Sequence, residues 1–499
     1  MSSVLRSTLL NIAATAVSLA CGFLVNIAVA RLLGPAGSGT VAFMLWLAIA
    51  ASAIADLGLP QTVLRYLAAS DTSGAWKRAA SAAFARLSMT MVVLFAAFLL
   101  VAAFQPFGHL DDSPALWMVA GLLFVVYLLS AFSAAAARGR NNFAEAAGST
   151  FLGSVLQLPL VFIGAWFFGA AGALAGMAVR YLPQVLRLPR YVDFTRRPDR
   201  AALTGEMRRY ARGMWVNDLV EVVLLTRAEY LVLGFFLSTT EIGYYAAAIV
   251  FSGLISQFAF QLSSALLVGF SARVDTEDRD SHAEKLYRDS LRLAALFILP
   301  AAFGGAAIIA ELLPFVFGEA FRPSASAATI LMVSSSLGAI TVVPWAFLAA
   351  RGESRRLMRI TVLTAGLLLV VLSFAVSFAG IEGAAIARLA AEALSLGLHM
   401  AAVVRVGGPM PPVMPLLRTV AAAVLTATVA FGVTRLVPGA VGILPAVAAG
   451  AITYAVAVRM LRLVDADEAR LLHDGSGRVL PAGLRPLATR IIRLLTGHA

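Results

Sequence analysis

Apolar runs of transmembrane length recur from Leu9 to Met460, with only short polar gaps between them. A helix needs about 20 apolar residues to cross a bilayer, and backbone polar groups in hydrocarbon must be satisfied within the chain. The fold class this implies is an all-α polytopic membrane protein, with no stretch left for a separate soluble catalytic domain. Of the 499 residues, 60% are hydrophobic and only 13% charged, and the mean hydropathy of +0.86 lies far outside the soluble range. The single cysteine, Cys21, falls in the first apolar run, which excludes a disulfide framework and any cysteine-based metal or redox motif. The first run resembles a signal peptide ending at Ala28-Val29-Ala30. Its apolar core, Leu9 to Ile27, exceeds the usual length of about 7 to 15 residues, so it is expected to be an uncleaved first span.

Polar gaps and Gly/Pro punctuation divide the chain into about fourteen spans. Span 6 is expected over Ala170 to Leu188 and span 7 over Gly213 to Leu237. The net charge of +12 does not read as a nucleic-acid signature, because the basic residues gather at the ends of apolar runs rather than on one hydrophilic face. With the N-terminus inside, 33 of the 39 Lys and Arg residues fall on the inner side, as the positive-inside rule requires. Both termini are then cytoplasmic. Only Arg31, Arg322 and Arg435 lie outside, and Arg180, Arg227 and Arg388 lie within spans.

An internal repeat sets the architecture. Phe84-Ala85-Arg86-Leu87 recurs as Ser290-Leu291-Arg292-Leu293, and Ala136-Ala137-Arg138-Gly139 as Ala349-Ala350-Arg351-Gly352, an offset of 213. Gly169-Ala170-Ala171-Gly172-Ala173 recurs as Gly380-Ile381-Glu382-Gly383-Ala384 at 211, and Gly39-Thr40-Val41-Ala42 aligns with Gly243-Tyr244-Tyr245-Ala246 at 204. Six helices are therefore duplicated in the same orientation. The expected organisation is an N-lobe over 1–188, a cytoplasmic linker over 189–212, a C-lobe over 213–404, two further spans over 405–463, and a basic amphipathic tail over 464–499. Parallel repeats of this kind bind substrate at their interface.

Nothing in the chain supports ATP coupling, since its two lysines follow Trp76 and Glu284 rather than the glycine of a phosphate-cradling loop. The outer gaps are too short for the acid-bearing loop of a glycan polymerase, and Asp111-Asp112 before Ser113-Pro114 reads first as a turn into a helix. An enzyme is not expected, nor are a metal or another cofactor. The positive signal is charge inside the membrane, where an arginine costs at least about 2.5 to 3.5 kcal/mol. Arg180, Arg227 and Arg388 fall near mid-depth, and Arg180 shifted by the local offset lands three residues from Arg388. Facing a wet cavity, these guanidiniums would form a bidentate anion site; the structural alternative pairs Arg388 with Glu392 one turn on. Among the acids within spans, Asp56 sits where Gly58 and Pro60 break a helix, and Glu229 lies deep enough to hold a coupling ion or to pair with an arginine. Asn26 could bond sugar hydroxyls or a neighbouring helix.

The residues Arg31-Leu32-Leu33-Gly34-Pro35 with Gly37 or Gly39, then Asp56-Leu57-Gly58-Leu59 and Arg65-Tyr66, resemble the bacterial polysaccharide or O-antigen flippase family. Leu233-Gly234 and Ile242-Gly243-Tyr244-Tyr245-Ala246 fit the same pattern, with Glu229 where that family commonly carries Asp. The resemblance covers essentially the whole chain. It implies the multidrug/oligosaccharidyl-lipid/polysaccharide exporter fold, with two parallel six-helix lobes and two C-terminal helices that could form a groove for a lipid tail. It also implies movement of undecaprenyl-diphosphate-linked oligosaccharides across the cytoplasmic (inner) membrane by alternating access, driven by proton, sodium or membrane potential. On that reading Arg31, Arg180, Arg227 and Arg388 hold the diphosphate, Asn26 faces the glycan, and Glu229, Asp56 and Glu392 are the coupling candidates. The expected partners are the lipid-linked oligosaccharide, membrane lipids and a polymerase of the same glycan pathway, with no nucleic acid. Two other classes stay open: a drug or metabolite antiporter of the same fold, whose cavity would be acid-lined, and a membrane-embedded glycan polymerase or ligase.

Overall fold

A computed structural model describes residues 3–69, 74–104, 113–195, 197–220, 222, 228–271 and 279–464. Fourteen α-helices occur among them, with no strand. They are α1 (Ser3–Ala55), α2 (Leu59–Ala69), α3 (Ala75–Phe104), α4 (Pro114–Gly139), α5 (Phe143–Val179), α6 (Leu182–Val185) and α7 (Gly205–Leu219). Then follow α8 (Ala228–Phe236), α9 (Thr239–Ser271), α10 (Arg279–Phe317), α11 (Ala325–Ala350), α12 (Ser354–Arg405), α13 (Val413–Leu436) and α14 (Ala440–Met460). Nine helices among the described residues are long and apolar enough to cross a membrane. Large apolar side chains stay on the outside of them, as at Phe378, 88% exposed, and Leu444, 79% exposed. Lipid rather than water is the solvent such a surface suits. The tail beyond 464, the 272–278 part of the gap expected inside over 272–289, Asp111-Asp112 and Arg227 lie outside the described residues.

Helices α1, α5 and α12 are too long for one crossing, since 52 residues of α12 at about 1.5 Å each would span more than twice the hydrocarbon core. Each contains a glycine with positive φ: Gly34 at 65°, Gly169 at 59° and Gly380 at 53°. At Gly169 the chain turns back on itself, for Gly172 packs against the Gly164 carbonyl and Gly176 against the Val161 amide. At Gly380 the same happens, with Gly383 against the Ala375 carbonyl. The two turns are 211 residues apart and use the same eight-residue reach, so the repeat read from sequence is also a repeat of backbone conformation. The turn after α4 shows it again, with one correction. Asn141, at φ 60°, matches Gly352, at φ 75°, and the Asn142 and Glu353 amides donate to Ala137 and Leu348. The offset there is 211, not 213, and aligns Arg140 with Arg351. The left-handed residue that ends each helix sets the register, and the short Ala-Ala-Arg-Gly match is displaced from it by two.

Span 6 is also corrected. It was expected as one helix, but α5 ends at Val179 and α6 begins at Leu182. Pro183 has no N–H to give the Val179 carbonyl, and it stands in the first turn of α6, where no intrahelical donor is required. At the repeat-related position stands Leu394, and α12 runs unbroken to Arg405. The sequence repeat is thus broken in backbone form at one place, beside Arg180.

The chain forms two compact units, Met1–Ala246 and Ala247–Ala499. In the first, α1 packs mainly on α5 and α4, and α4 also carries α2 and α3. Ser133 of α4 and Gln184 of α6 exchange hydrogen bonds of 2.8 and 2.9 Å. At the end expected to face the cytoplasm, Glu145 accepts from Arg190 at 2.6 Å and from the Tyr191 hydroxyl at 2.8 Å, and pairs with Arg187 at 3.2 Å. In the second unit α10 packs on α11 and α13, α11 on α12, and α13 on α14. Phe347 is the centre of an aromatic cluster there, meeting Phe270 and Tyr287 edge-on at 5.5 and 5.3 Å.

The break between α1 and α2 fixes where α7 lies. Asp56 accepts the Gly58 amide at 2.8 Å, Leu57 and Gly58 take φ of 51° and 67°, and α2 then starts at Leu59. A Cβ on Gly58 would stand 2.1 Å from the Ala211 carbonyl oxygen and 2.7 Å from the Trp215 amide. The Trp215 indole donates to the Ile54 carbonyl at 3.1 Å, so α7 lies directly on this turn. Gly58→Ala is expected to cost about 1 to 3 kcal/mol of backbone strain with overpacking of a similar size. Thermal unfolding of the purified protein reads this, and a wild-type midpoint would contradict the close approach.

Candidate functional site

A cavity of about 340 Å³ opens inside the first unit between α1, α2, α4, the start of α6 and the end of α7. Its walls carry Asp56, Gln61, Tyr127, Arg138, Tyr181 and Asp218. Tyr127 and Tyr181 meet edge-on at 5.0 Å. Helical spacing brings this set together: Tyr127, Ala131, Ala134 and Arg138 recur every three or four residues along α4, and the break before α6 turns Tyr181 toward them. Asp56 therefore caps the turn into α2 and lines the cavity as well. Tyr127, Tyr181 and Asp218 are not among the sequence candidates, and Arg138 enters the sequence analysis only through the repeat. A stripe of Tyr, Ser and Ala ending in Arg within an otherwise apolar run is the signal that could have found them.

Arg180 stands at the break between α5 and α6. Its Nη2 donates to the Ser18 hydroxyl of α1 at 2.5 Å, and its guanidinium lies 5.9 Å from the Tyr181 ring centre. Among the described residues it makes no ion pair, unlike Arg187, Arg190, Arg322 and Arg388. Its carbonyl oxygen lies where a Cβ on Gly153 would be, 1.9 Å away, so the backbone of the break seats on a position that only glycine leaves open. The guanidinium keeps donor capacity for an anion beyond the bond to Ser18.

The other sequence candidates separate. Arg31 is exposed, and Asn26 is exposed with its amide donating to Gly22 of its own helix at 2.9 Å. Glu229 is fully buried in the first turn of α8. In the second unit Arg388 pairs with Glu392 at 3.6 Å, and the Glu392 carboxylate lies 2.9 Å from the Cβ position of Gly338 on α11. A double-mutant cycle of Arg388→Ala and Glu392→Ala on thermal stability is expected to show a coupling of about 0.5 to 3 kcal/mol. Additive effects would mean that the pair does not act as one.

These features define a multi-pass helical membrane protein built on a duplicated set of helices, with a polar cavity and, at a helix break, an arginine that has no ion-pair partner among the described residues. The family described as "Polysaccharide biosynthesis protein" matches residues 28–326, and the chain belongs to it. No curated protein matches the sequence of this chain. Among solved structures, the lipid II flippase MurJ in an inward closed conformation is similar with a TM-score of 0.75 at 13% identity, covering 90% of this chain and 98% of that one. A multidrug resistance MATE family transporter of the MOP superfamily, inward-facing, is similar with a TM-score of 0.62 at 16% identity, covering 78% and 95%. A MOP superfamily transporter from Pyrococcus furiosus gives 0.52 at 16% identity, covering 81% and 96%. The likeness establishes the fold expected from the sequence.

Proposed function

We propose that the protein moves an undecaprenyl-diphosphate-linked oligosaccharide from the inner to the outer leaflet of the cytoplasmic membrane by alternating access, in cell-surface polysaccharide synthesis. Membership in a polysaccharide biosynthesis family and a fold shared with a lipid II flippase support this reading. The observation that carries it is Arg180, held by Ser18 at a helix break with no carboxylate to neutralise it among the described residues. A diphosphate cannot cross hydrocarbon unaccompanied, because an isolated charge there is far too costly. Arg180 would neutralise it, with Arg31, Arg227 and Arg388 as further candidates. The glycan would stay in water and the prenyl tail in lipid. Asp56, Glu229 and Glu392 are the carboxylates through which a proton, a sodium ion or the membrane potential would drive the cycle. A polymerase of the same glycan pathway would consume the product.

A second reading, a drug or metabolite antiporter, draws on Asp56 and Asp218 in one cavity wall, since paired acids suit a cationic cargo. Proteoliposomes separate the two. Lipid-linked oligosaccharide loaded in the inner leaflet should become accessible to an impermeant glycan-cleaving enzyme outside. Transport of small organic cations with no such transfer would favour the antiporter and overturn the flippase reading.

A further inference from the structure

Two adjoining cavities of about 190 and 450 Å³ in the first unit share Arg86, Leu203 and Arg208 in their walls, and the smaller also takes in Arg212 and Trp215. Arg86 comes from α3; Arg208 and Arg212 stand one turn apart on α7, about 5 to 6 Å between Cβ atoms. All three are exposed, and among the described residues none makes an ion pair or a side-chain hydrogen bond. No carboxylate among the described residues lines either cavity. The nearest acid in sequence, Glu206, accepts the Tyr66 hydroxyl at 2.8 Å instead. Three converging guanidiniums with no counter-charge among the described residues call for an anion with several oxygens.

The remaining walls specify what carries that anion. Leu57, Leu59, Leu203, Met207 and Trp215 are apolar or amphipathic, and free phosphate in water gains nothing from them. From Arg86 the exposed face of α3 continues through Met89, Val92, Val93 and Leu100, between 57% and 73% exposed. Met89 to Leu100 runs about 16 Å at 1.5 Å per residue, close to half of the roughly 30 Å hydrocarbon core. A charged mouth above an apolar track one leaflet long matches an acyl-chain amphiphile. Near Arg86, Phe84 meets Phe194 at 5.4 Å and Ser81 accepts the Asp193 amide at 2.9 Å, so this part of α3 lies beside the basic segment that carries Arg187 and Arg190, expected at the cytoplasmic surface.

We propose that Arg86, Arg208 and Arg212 bind the phosphate headgroup of an anionic glycerophospholipid of that leaflet, with its chains along α3, so that the lipid bridges α3 and α7. The site is separate from the cavity at Asp56 and does not depend on what the protein transports.

Native mass spectrometry of the full-length protein titrated with phosphatidylglycerol or phosphatidylcholine tests it. Wild type is expected to prefer phosphatidylglycerol at least ten-fold. Each arginine changed to glutamine should weaken that lipid about five-fold, the size of one basic contact at an anionic surface, and leave phosphatidylcholine unchanged. The triple variant R86Q/R208Q/R212Q should melt as wild type in phosphatidylcholine, since no ion pair or side-chain hydrogen bond among the described residues is lost. If it does not fold, the single variants R86Q and R212Q carry the same test. Equal binding of the two lipids by wild type, or unchanged selectivity in the variants, overturns the proposal. So does displacement of phosphatidylglycerol by millimolar inorganic phosphate. Tighter binding of undecaprenyl diphosphate at the same arginines would make this a substrate site and overturn it as well.

Discussion

Arg180→Ala is expected to reduce export of the lipid-linked glycan about 100-fold or more while the protein remains folded and inserted. The fold loses one hydrogen bond, to Ser18, worth about 1 kcal/mol. On the proposed function the translocation step would lose the cation facing a diphosphate, and a charge-assisted bond of about 1.5 to 3 kcal/mol would be only part of that loss, because the anion would be left in a low-dielectric surrounding. Arg180→Lys should restore part of the rate, since an ammonium keeps the charge and lacks the planar fork. Ser18→Ala should weaken export less, as it frees the guanidinium without removing it. Surface glycan in cells lacking the native gene, read beside the melting temperature of each purified variant, checks these outcomes. Full export by Arg180→Ala at normal expression would remove the arginine from the transport step.

The second large effect is expected at two glycines that the sequence repeat pairs. A Cβ on Gly39 would stand 1.8 Å from the Thr239 carbonyl oxygen, and one on Gly243 would stand 1.9 Å from the Pro35 carbonyl oxygen. Each glycine faces the carbonyl four residues before its partner, so the crossing of α1 and α9 is reciprocal. Both obstacles are backbone atoms that no rotamer change can clear. Gly39→Val and Gly243→Val should each force the helices apart and cost about 1 to 3 kcal/mol or more. The double variant should cost less than the sum, since the first substitution already opens the space used by the second. Gly253, also on α9, has nothing within 4 Å of its Cβ position, so Gly253→Ala should be neutral or slightly stabilising. Thermal unfolding of the four proteins settles it; additive losses at Gly39 and Gly243 would deny the shared contact. Alternating access would move helices at such a crossing, and both valine variants should therefore also lose export.

The sequence by itself determined that this is a membrane protein of many helices and that six of them are duplicated. Those properties are local or periodic: a span is apolar along its own length, and a repeat needs only comparison of the chain with itself. Asp56-Leu57-Gly58 was legible as a helix break, since a capping acid and a glycine state their backbone demands without reference to neighbours. Gly169 and Gly380 were legible as a related pair, although only the tertiary structure shows them as the turns at which two helices fold back on themselves. The break at Arg180 was not legible, because Pro183 looks in sequence like Pro159 and Pro344, which α5 and α11 accommodate without ending. The pairing of Arg388 with Glu392 was one of two readings the sequence offered, and tertiary structure decided which of the other charges find partners. Arg388 has Glu392 one turn away, while Arg180 finds a serine 162 positions distant, and Arg86 meets Arg208 and Arg212 across a cavity. The approach of Gly39 to Gly243 belongs to the same group. Charge pairing and close packing act over a few ångströms between segments far apart in sequence, so they become defined only when the helices are placed together.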